Sequence, residues 1–410
     1  MSDGSLDLDV FGGLIKRPDA AVRRAAESLR AARTPASGAL GRLDDLGVWL
    51  AGVQGRSPAA VIERPRLVVF AGDHGVARAG VSARPVGGAH LLVRALLDGE
   101  SPGAILARRS GVSVRVVDMA LDCDPLGLPP EVTRHRVRRG SGRLDTEDAL
   151  TREEAERAFR TGVTIADEEA DSGTDLVVLG DLSVGGTTAA AVLTGALCGT
   201  DASVVTGRGG LRIDDTTWMR KCAAIRDGLR RARPVLGDQV RLLAAVGGAD
   251  LAAMTGFLLQ AAVRRTPVLL DGVVTTACAL LAQRIAFRAP DWWLAGHAGG
   301  EPGQAKALDR MNLEPVTDLG VTTGEGVGAL LALPVVLSAA ALAAEAPPPP
   351  GAGGSAPAEE AGEAGETGGV PGADGHDPAG DAPGATGDPS VAGADVGSGA
   401  AAPRPTSDPA

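Results

Sequence analysis

The chain of 410 residues is poor in aromatic residues, which make up 2% of it and include no tyrosine, and it contains no long basic block. Proteins that bind nucleic acid usually carry a basic stripe on one face. The formal net charge here is −11. These absences leave no electrostatic footprint for nucleic acid, so we expect a mixed-charge, solvated surface and no nucleic-acid partner.

Cysteine is also scarce. The four cysteines, Cys123, Cys198, Cys222 and Cys278, lie far apart and form no C-x-x-C pair, and the first residues do not read as a signal peptide. Secreted disulfide frameworks and cysteine-ligated zinc sites both need clustered or regularly spaced cysteines. We therefore predict reduced thiols, a cytoplasmic protein and no metal site.

One long uncharged run, residues 326–344, is about as long as a bilayer span. The run is rich in alanine and glycine, contains Pro334 and lacks an aromatic or basic interfacial flank. We therefore predict a buried helix and no membrane contact.

The last part of the chain, residues 346–410, consists almost entirely of proline, glycine, alanine, serine, threonine and acids. Its ten acids stand against one base, Arg404, so it carries nine of the eleven net negative charges. A segment of this composition cannot bury a core. We predict a disordered acidic tail after a near-neutral core of residues 1–345.

The core alternates short apolar runs with stretches of helical periodicity. Strands buried on both faces read as continuous apolar runs, and their alternation with helices indicates a parallel sheet. The pattern predicts an α/β, Rossmann-like fold with a large domain over about 65–325 and a small helical domain from about 10–60 and 326–345. Helices are predicted over 20–32 and 40–51, and strands over 67–70, 114–117, 176–179, 204–205, 242–246, 268–270 and 292–294.

No G-x-x-x-x-G-K-[ST] motif is present, and no G-x-G-x-x-G follows the first strand. A P-loop nucleoside triphosphatase or a conventional dinucleotide dehydrogenase is therefore unsupported. Several predicted strands instead run directly into polar, glycine-rich turns. In an open parallel sheet, ligands bind beyond the carboxyl ends of the strands. These turns are therefore expected to meet at one site.

Two of the turns suit an anion. Gly185, Gly186 and Thr187 open an alanine-rich helix, and the free N–H groups of a helix N-terminus attract phosphate or carboxylate. Gly207-Arg208-Gly209 combines flexible backbone with a guanidinium, which pairs with phosphate bidentately. A simple N-cap at Thr187 is the structural alternative.

Two further motifs carry titratable groups. Gly72-Asp73-His74-Gly75 fits either close approach of a ligand or a capped local turn. Glu325 lies between Gly324 and Gly326, just before the uncharged run. A carboxylate there could be a favourable contact with the helix dipole, or a base in an apolar neighbourhood.

Taken in order, these motifs resemble the nicotinate-nucleotide dimethylbenzimidazole phosphoribosyltransferase family. The resemblance covers most of the chain except the tail. It implies a homodimer, no metal or redox cofactor, and two small-molecule substrates, nicotinate mononucleotide and a benzimidazole base. The matching segments are 37–43, 72–76, 207–209, 270–272, 297–303 and 324–326.

The resemblance also implies roles for individual residues. Glu325 falls on the family's catalytic glutamate, and Asp181 stands where the family has a second acidic residue. Ser82 and His90 fall on or near positions that line the aromatic-base pocket. The remaining expected substrate-binding residues, mainly for phosphate and ribose, are Gly185, Gly186, Thr187, Gly207, Arg208, Gly209 and Asp271.

The chain departs from the family in one turn above all. The family pattern Glu-x-Gly-x-Gly-Asn-Thr-Thr appears here as residues 181–188, with Asp181 in place of Glu and Gly186 in place of Asn. His90 stands where the family usually has Gln, and Gln304 where it usually has His. Asp is one methylene shorter than Glu, which withdraws the carboxylate by roughly 1.5 Å.

The predicted function is phosphoribosyl transfer from nicotinate mononucleotide to 5,6-dimethylbenzimidazole, in cobalamin biosynthesis. A transfer to another base or to a phenol is one alternative, suggested by His90 and Asp181. A non-catalytic ligand-binding homologue is another, suggested by the altered 181–188 turn and opposed by the intact Glu325.

Overall fold

A computed structural model describes residues 6–33 and 39–345, and the predicted disordered tail lies outside these ranges. The strands are Pro65–Asp73 (β1), Ser113–Ala120 (β2), Leu176–Val184 (β3), Val268–Leu270 (β4), Trp293–His297 (β5) and Pro315–Thr317 (β6). The helices up to the middle of the chain are Asp9–Leu14 (α1), Ala20–Arg33 (α2), Arg42–Gln54 (α3), Ala89–Leu97 (α4), Pro102–Arg109 (α5), Pro130–Thr133 (α6) and Arg152–Asp171 (α7). The remaining helices are Gly186–Cys198 (α8), Ala202–Val205 (α9), Asp215–Ala232 (α10), Gln239–Val246 (α11), Ala249–Val263 (α12), Val273–Ile285 (α13), Pro302–Met311 (α14) and Val327–Glu345 (α15).

The strands form one parallel sheet in the order β2-β1-β3-β4-β5-β6. The chain runs from β1 to β2 on one side and then returns to β3 on the other side of β1. The loops that leave β1 and β3 therefore turn to opposite faces and open a crevice between them, which is where ligands bind in such sheets. The predicted α/β fold with a parallel sheet is confirmed.

Helices cover both faces of the sheet. Successive side chains of a strand point to opposite faces, so Val68 and Phe70 pack on one side while Leu67 and Val69 pack on the other. The first side carries helices such as α7, α12 and α13, and the second carries α4, α5 and α15. Burial on both faces explains why β1 and β3 are continuous apolar runs.

The two ends of the described chain meet in a group of helices. α3 packs against both α2 and α15, with Gly47 close to Ala339 and Ala343. α15 is long and apolar enough to cross a bilayer, but about half of its residues are buried against the sheet and α3. The run at 326–344 is thus a helix of the core, as expected. The division into a large and a small domain stays a prediction.

Two predicted strands are wrong. Residues 242–246 belong to α11, which is capped by Asp238 and buried against α7, and residues 204–205 belong to the single turn α9. A short apolar run reads the same whether a strand or a buried helix contains it, so periodicity could not separate them. The edge strand β6 was missed because its three residues are only half-buried and form no apolar run.

Candidate active site

A cleft lies beyond the carboxyl ends of the strands. The loops after β1, β3, β4 and β5 and the segment before α15 contribute its walls. Strand register brings these loops to the same level, since Gly72 pairs with Ser183 and Leu179 pairs with Leu270. The glycine-rich turns therefore converge at the edge where the sequence placed them.

One end of the cleft, which we call the polar end, contains Thr187, Arg208, Gly209, Lys221 and Glu301. Lys221 is only 1% exposed, and its Nζ donates a hydrogen bond to Thr187 Oγ1 over 3.0 Å. Burial lowers the pKa of Lys221, although the nearby Glu301 carboxylate opposes that shift. Thr187 also belongs to the first turn of α8, so a buried ammonium and a helix N-terminus face the same space.

Glu301 fixes the backbone of the glycine turn at the polar end. Its Oε1 accepts a hydrogen bond from the Gly209 N–H over 2.7 Å, and a Cβ at position 207 would overlap its carboxylate. The Arg208 guanidinium is held within its own loop, donating to the Ile213 carbonyl over 2.8 Å and to Asp215 over 2.5 Å. The turn is thus shaped before any ligand arrives.

The lining of the cleft also contains Glu325. Its side chain is almost completely buried, and its Oε2 accepts a hydrogen bond from the Gly103 N–H at the start of α5 over 3.2 Å. Its backbone has φ +68°, in the left-handed region that residues with a side chain rarely adopt. Such strain persists only where the surroundings enforce it, and it concentrates at functional sites.

Asp271 enforces the position of Glu325. Its two carboxylate oxygens accept hydrogen bonds from the N–H groups of Gly326 and Ala329, each over 3.1 Å. The Glu325 N–H donates to the Asp181 carbonyl over 3.0 Å. Asp271 therefore anchors the first turn of α15 to the end of β4, and the residue just before that turn is Glu325.

Asp181 lies at the floor of the cleft and is almost fully buried. Burial, together with the carboxylates of Asp271 and Asp250, raises its pKa to about 7, against the opposing effects of Ser183 and His74. A carboxyl group with this pKa changes its charge near neutral pH, which is unusual for aspartate and typical of functional sites.

A buried pair lies beneath the turn that precedes α8. His74 Nε2 is 3.0 Å from Asp250 Oδ2, and the His74 side chain lies against Gly185. Burial opposes a charge on His74, but the neighbouring carboxylates, Asp250 first, outweigh it and raise its pKa. The pair thus places an imidazole that favours its charged form against the turn at Gly185 that precedes α8.

Comparison with known proteins agrees with this architecture. A family profile described as phosphoribosyltransferase matches residues 15–349. The nicotinate-nucleotide–dimethylbenzimidazole phosphoribosyltransferase of Streptomyces avermitilis is 74% identical over 339 residues, which are 83% of this chain and 90% of that protein. The protein of the same name from Mycobacterium tuberculosis is 51% identical over 80% of this chain and 90% of its own length. A crystal structure of this enzyme from Thermus thermophilus superposes with a TM-score of 0.74 at 35% identity, covering 80% of this chain and 96% of that one.

The chain belongs to the nicotinate-nucleotide–dimethylbenzimidazole phosphoribosyltransferase family. It is an enzyme, as the sequence predicted. Most of the residues predicted for its site line the cleft of the phosphoribosyltransferase; they are Ser82, Asp181, Gly185, Thr187, Arg208, Gly209 and Glu325.

Four predicted residues of the phosphoribosyltransferase do not line the cleft. Gly186 is the first residue of α8 and does not line the cleft, although Gly185 and Thr187 on either side of it do. Gly207 leaves room for the Glu301 carboxylate. Asp271 accepts hydrogen bonds from the start of α15. His90 interacts with its own turn, with Nδ1 2.8 Å from the Gly87 carbonyl oxygen, while Leu92 of the same helix reaches the cleft. A role for His90 in base recognition stays a prediction.

Sequence reasoning missed Lys221, Glu301 and the His74–Asp250 pair. The Gly72–Gly75 motif that contains His74 fits either a ligand contact or a capped turn, because nothing in the sequence reveals the partner of His74 on α12. Lys221 had a usable signal, since a lysine on the core side of an amphipathic helix is rarely buried without a partner. Glu301 lies just before the proline that begins α14, where a carboxylate also reads as a common helix start.

Proposed function

We propose that the phosphoribosyltransferase transfers the phosphoribosyl group of nicotinate mononucleotide to 5,6-dimethylbenzimidazole, releasing nicotinate and forming α-ribazole 5′-phosphate. The observation that carries this proposal is a single cleft whose lining contains both a buried carboxylate, Glu325, and a buried ammonium, Lys221. Such a cleft suits a substrate with an anionic phosphate and an acceptor that must lose a proton. Nicotinate mononucleotide supplies the phosphate, and dimethylbenzimidazole is the acceptor that loses the proton.

The chemistry needs one base and no acid at the leaving group. Nicotinate attached to ribose is a pyridinium, so it leaves as a neutral ring nitrogen when its bond to C1′ breaks. The incoming benzimidazole forms the new bond to C1′ through one nitrogen, and the proton on its other nitrogen passes to the Glu325 carboxylate. A general base of this kind contributes about 10²–10⁴-fold. Attack opposite the leaving group inverts C1′ and gives the α-riboside.

Asp181 is proposed as the auxiliary carboxylate. Positive charge develops on the ribose as the bond to nicotinate breaks, and an ionised carboxylate at the cleft floor stabilises it. Because the pKa of Asp181 is raised to about 7, this contribution is complete only above neutral pH. The acid limb of the pH–rate profile should therefore follow the ionisation of Asp181.

The polar end is proposed to hold the nucleotide phosphate. Its donors are the Lys221 ammonium, the Thr187 hydroxyl and the first N–H groups of α8. Ser82 and the apolar side chains of Val81, Leu92 and Leu182 are proposed to contact the base. The rest of the rate enhancement comes from positioning the two rings.

A product assay tests the proposed function. The protein is incubated with nicotinate mononucleotide alone, then with dimethylbenzimidazole, other benzimidazoles, adenine and phenol, and released nicotinate and riboside are measured. Release that depends on dimethylbenzimidazole, with one equivalent of α-riboside, supports the proposal. Preference for another acceptor would change the assigned substrate, and no release with any acceptor would indicate a non-catalytic homologue.

We further propose that the enzyme acts as a cytoplasmic homodimer. Two leucines beside the cleft are exposed although they are apolar, Leu211 on its lining and Leu319 shortly before the lining segment 321–325. Contact with a second copy would cover such side chains. The molar mass in solution, measured by light scattering, tests this.

A further inference from the structure

The end of β3 and the start of α8 contain a contact that links three positions, 181, 183 and 186. The Ser183 hydroxyl donates a hydrogen bond to Asp181 Oδ2 over 3.1 Å, and both side chains line the cleft. Residues two apart on a strand point to the same face, so β3 itself aims both side chains at the same space. Asp181 therefore has a hydroxyl donor supplied by its own strand.

Ser183 also determines what can stand at position 186. A Cβ at Gly186 would overlap the Ser183 hydroxyl oxygen and would lie 2.8 Å from Ser183 Cβ, closer than real Cβ contacts. Without Ser183, the nearest remaining atom would be His74 Nε2 at 3.5 Å, an ordinary contact. The backbone at Gly186 is helical, so an alanine there meets no backbone strain. The requirement for glycine at 186 thus comes from the side chain at 183.

The groups that surround Asp181 have opposite effects on its charge. Burial, Asp271 after β4 and Asp250 on α12 disfavour the ionised carboxylate, and Ser183 and His74 after β1 favour it. Cys278 on α13 is also close enough for its thiol to be affected by Asp181, and the Glu325 N–H bonds to the Asp181 carbonyl. Of the two favourable groups, Ser183 is the one with a hydrogen bond to the carboxylate.

We propose that Ser183 is a positioning residue for Asp181, and that Asp181, Ser183 and Gly186 function as one coupled unit in which the serine hydroxyl orients the carboxylate and the glycine leaves room for that hydroxyl. This inference rests on the proposed role of Asp181 in the reaction. It explains why a short carboxylate can serve at the cleft floor, since the neighbouring hydroxyl fixes its direction.

The first test is the pH dependence of kcat/KM for Ser183→Ala. Loss of the hydroxyl removes a stabiliser of the ionised carboxylate, so the acid limb should move to higher pH by about half a unit to one unit. Ser338→Ala, a serine on the exposed side of α15, is the matched control and should leave the limb in place. A merely structural role for Ser183 would change the melting temperature and leave the limb unmoved, and that result would overturn the proposal.

The second test is a double-mutant cycle. Gly186→Ala should lower kcat/KM by about tenfold or more, because the displaced serine no longer orients Asp181. In the Ser183→Gly background the same change should cost less than about threefold, which is the signature of coupled residues. Gly185→Ala is the control, since φ +91° strains any side chain there and Ser183→Gly should give no rescue. Equal losses from Gly186→Ala in both backgrounds would contradict the coupling.

Asp181→Asn separates this inference from the proposed function. If Asp181→Asn keeps full activity, the carboxylate has no role in the reaction. Both the proposed role of Asp181 and its proposed positioning by Ser183 are then wrong. If Asp181→Asn loses activity while Ser183→Ala keeps the normal acid limb, the role of Asp181 stands and the positioning by Ser183 is wrong.

Discussion

At the scale of single residues, Glu325 combines a strained backbone, almost complete burial and a bond to the Gly103 N–H. We expect Glu325→Gln to preserve substrate binding and the fold, because an amide oxygen can still accept from Gly103. An amide cannot take the acceptor's proton, so turnover should fall by about 10²-fold or more. Steady-state kinetics with dimethylbenzimidazole, alongside the melting temperature, check this. Near-normal turnover would place the base elsewhere, with Asp181 as the next candidate.

Ionisation of Asp181 destabilises the folded protein, because the pKa of this carboxyl group is higher in the fold than in the unfolded chain. Its pKa is about 7 in the fold and 3.8 as the ordinary value, so between these pH values the folded state binds more protons than the unfolded state. Stability therefore falls as pH rises from 4 to 7, and the full cost is present above 7. Asp181→Asn should stabilise the protein at pH 8 by on the order of 2–4 kcal/mol and change it little at pH 4.

Denaturant unfolding of Asp181→Asn at both pH values measures this difference. Asp318→Asn makes the same chemical change at an exposed position and serves as the control. A variant that is destabilised equally at pH 4 and pH 8 would show that the carboxylate is structural.

Lys221 should govern binding of the nucleotide. Lys221→Met keeps the length of the side chain and removes an ammonium that burial already disfavours, so the fold should persist. A charge-assisted hydrogen bond to phosphate is worth about 1.5–3 kcal/mol, so KM for nicotinate mononucleotide should rise roughly tenfold or more. Lys306→Met is the control. An unchanged KM would exclude Lys221 from the phosphate site.

The site residues that could be predicted are those whose role is indicated by their immediate neighbours in the sequence. Glu325 between two glycines and the turn at 185–187 could be read from neighbours in the sequence. The His74–Asp250 pair could not, because its members are 176 positions apart and only the packing of α12 under β1 joins them. The pKa of Asp181 was equally hidden, since it depends on carboxylates from two other elements.

At the scale of elements, the start of α15 depends on Asp271. Asp271→Ala would leave two buried N–H groups, those of Gly326 and Ala329, without acceptors, which costs about 2–4 kcal/mol. It should also displace Glu325, so turnover per folded molecule should fall. Unfolding and kinetics measured on the same preparation check both effects.

Asp238→Ala is the matched control for Asp271→Ala. Asp238 caps α11 through the Arg241 N–H and pairs with Arg152 at an exposed end, so its loss should cost about 1–2 kcal/mol and leave turnover unchanged. If the two variants lose the same stability and both keep full turnover, Asp271 is an ordinary cap.

The elements themselves were predictable in proportion to their length and burial. β1 and β3 are long and buried on both faces, so their apolar runs were unmistakable. α11 and β6 were misread because a short buried helix resembles a strand and a half-buried edge strand resembles a loop.

At the scale of the whole molecule, deletion of residues 346–410 should leave melting temperature and turnover nearly unchanged. Their composition cannot pack a core, and their charge should act mainly on solubility. Comparison of the full chain with a 1–345 protein by thermal unfolding and kinetics checks this. A large loss of either property would give the segment a role in the enzyme.

The meeting of α3 and α15 has a consequence for biosynthesis. Ribosomes add about 5–20 residues per second, so roughly 15 to 60 s separate the emergence of α3 from that of α15. During this interval the apolar face of α3 that includes Leu46 and Leu50 lacks its final cover. Glu325 emerges just before that cover. Until α15 emerges, the nascent chain exposes apolar surface that α15 later covers, and a chain whose translation stops before residue 325 lacks both the proposed base and part of the cleft wall.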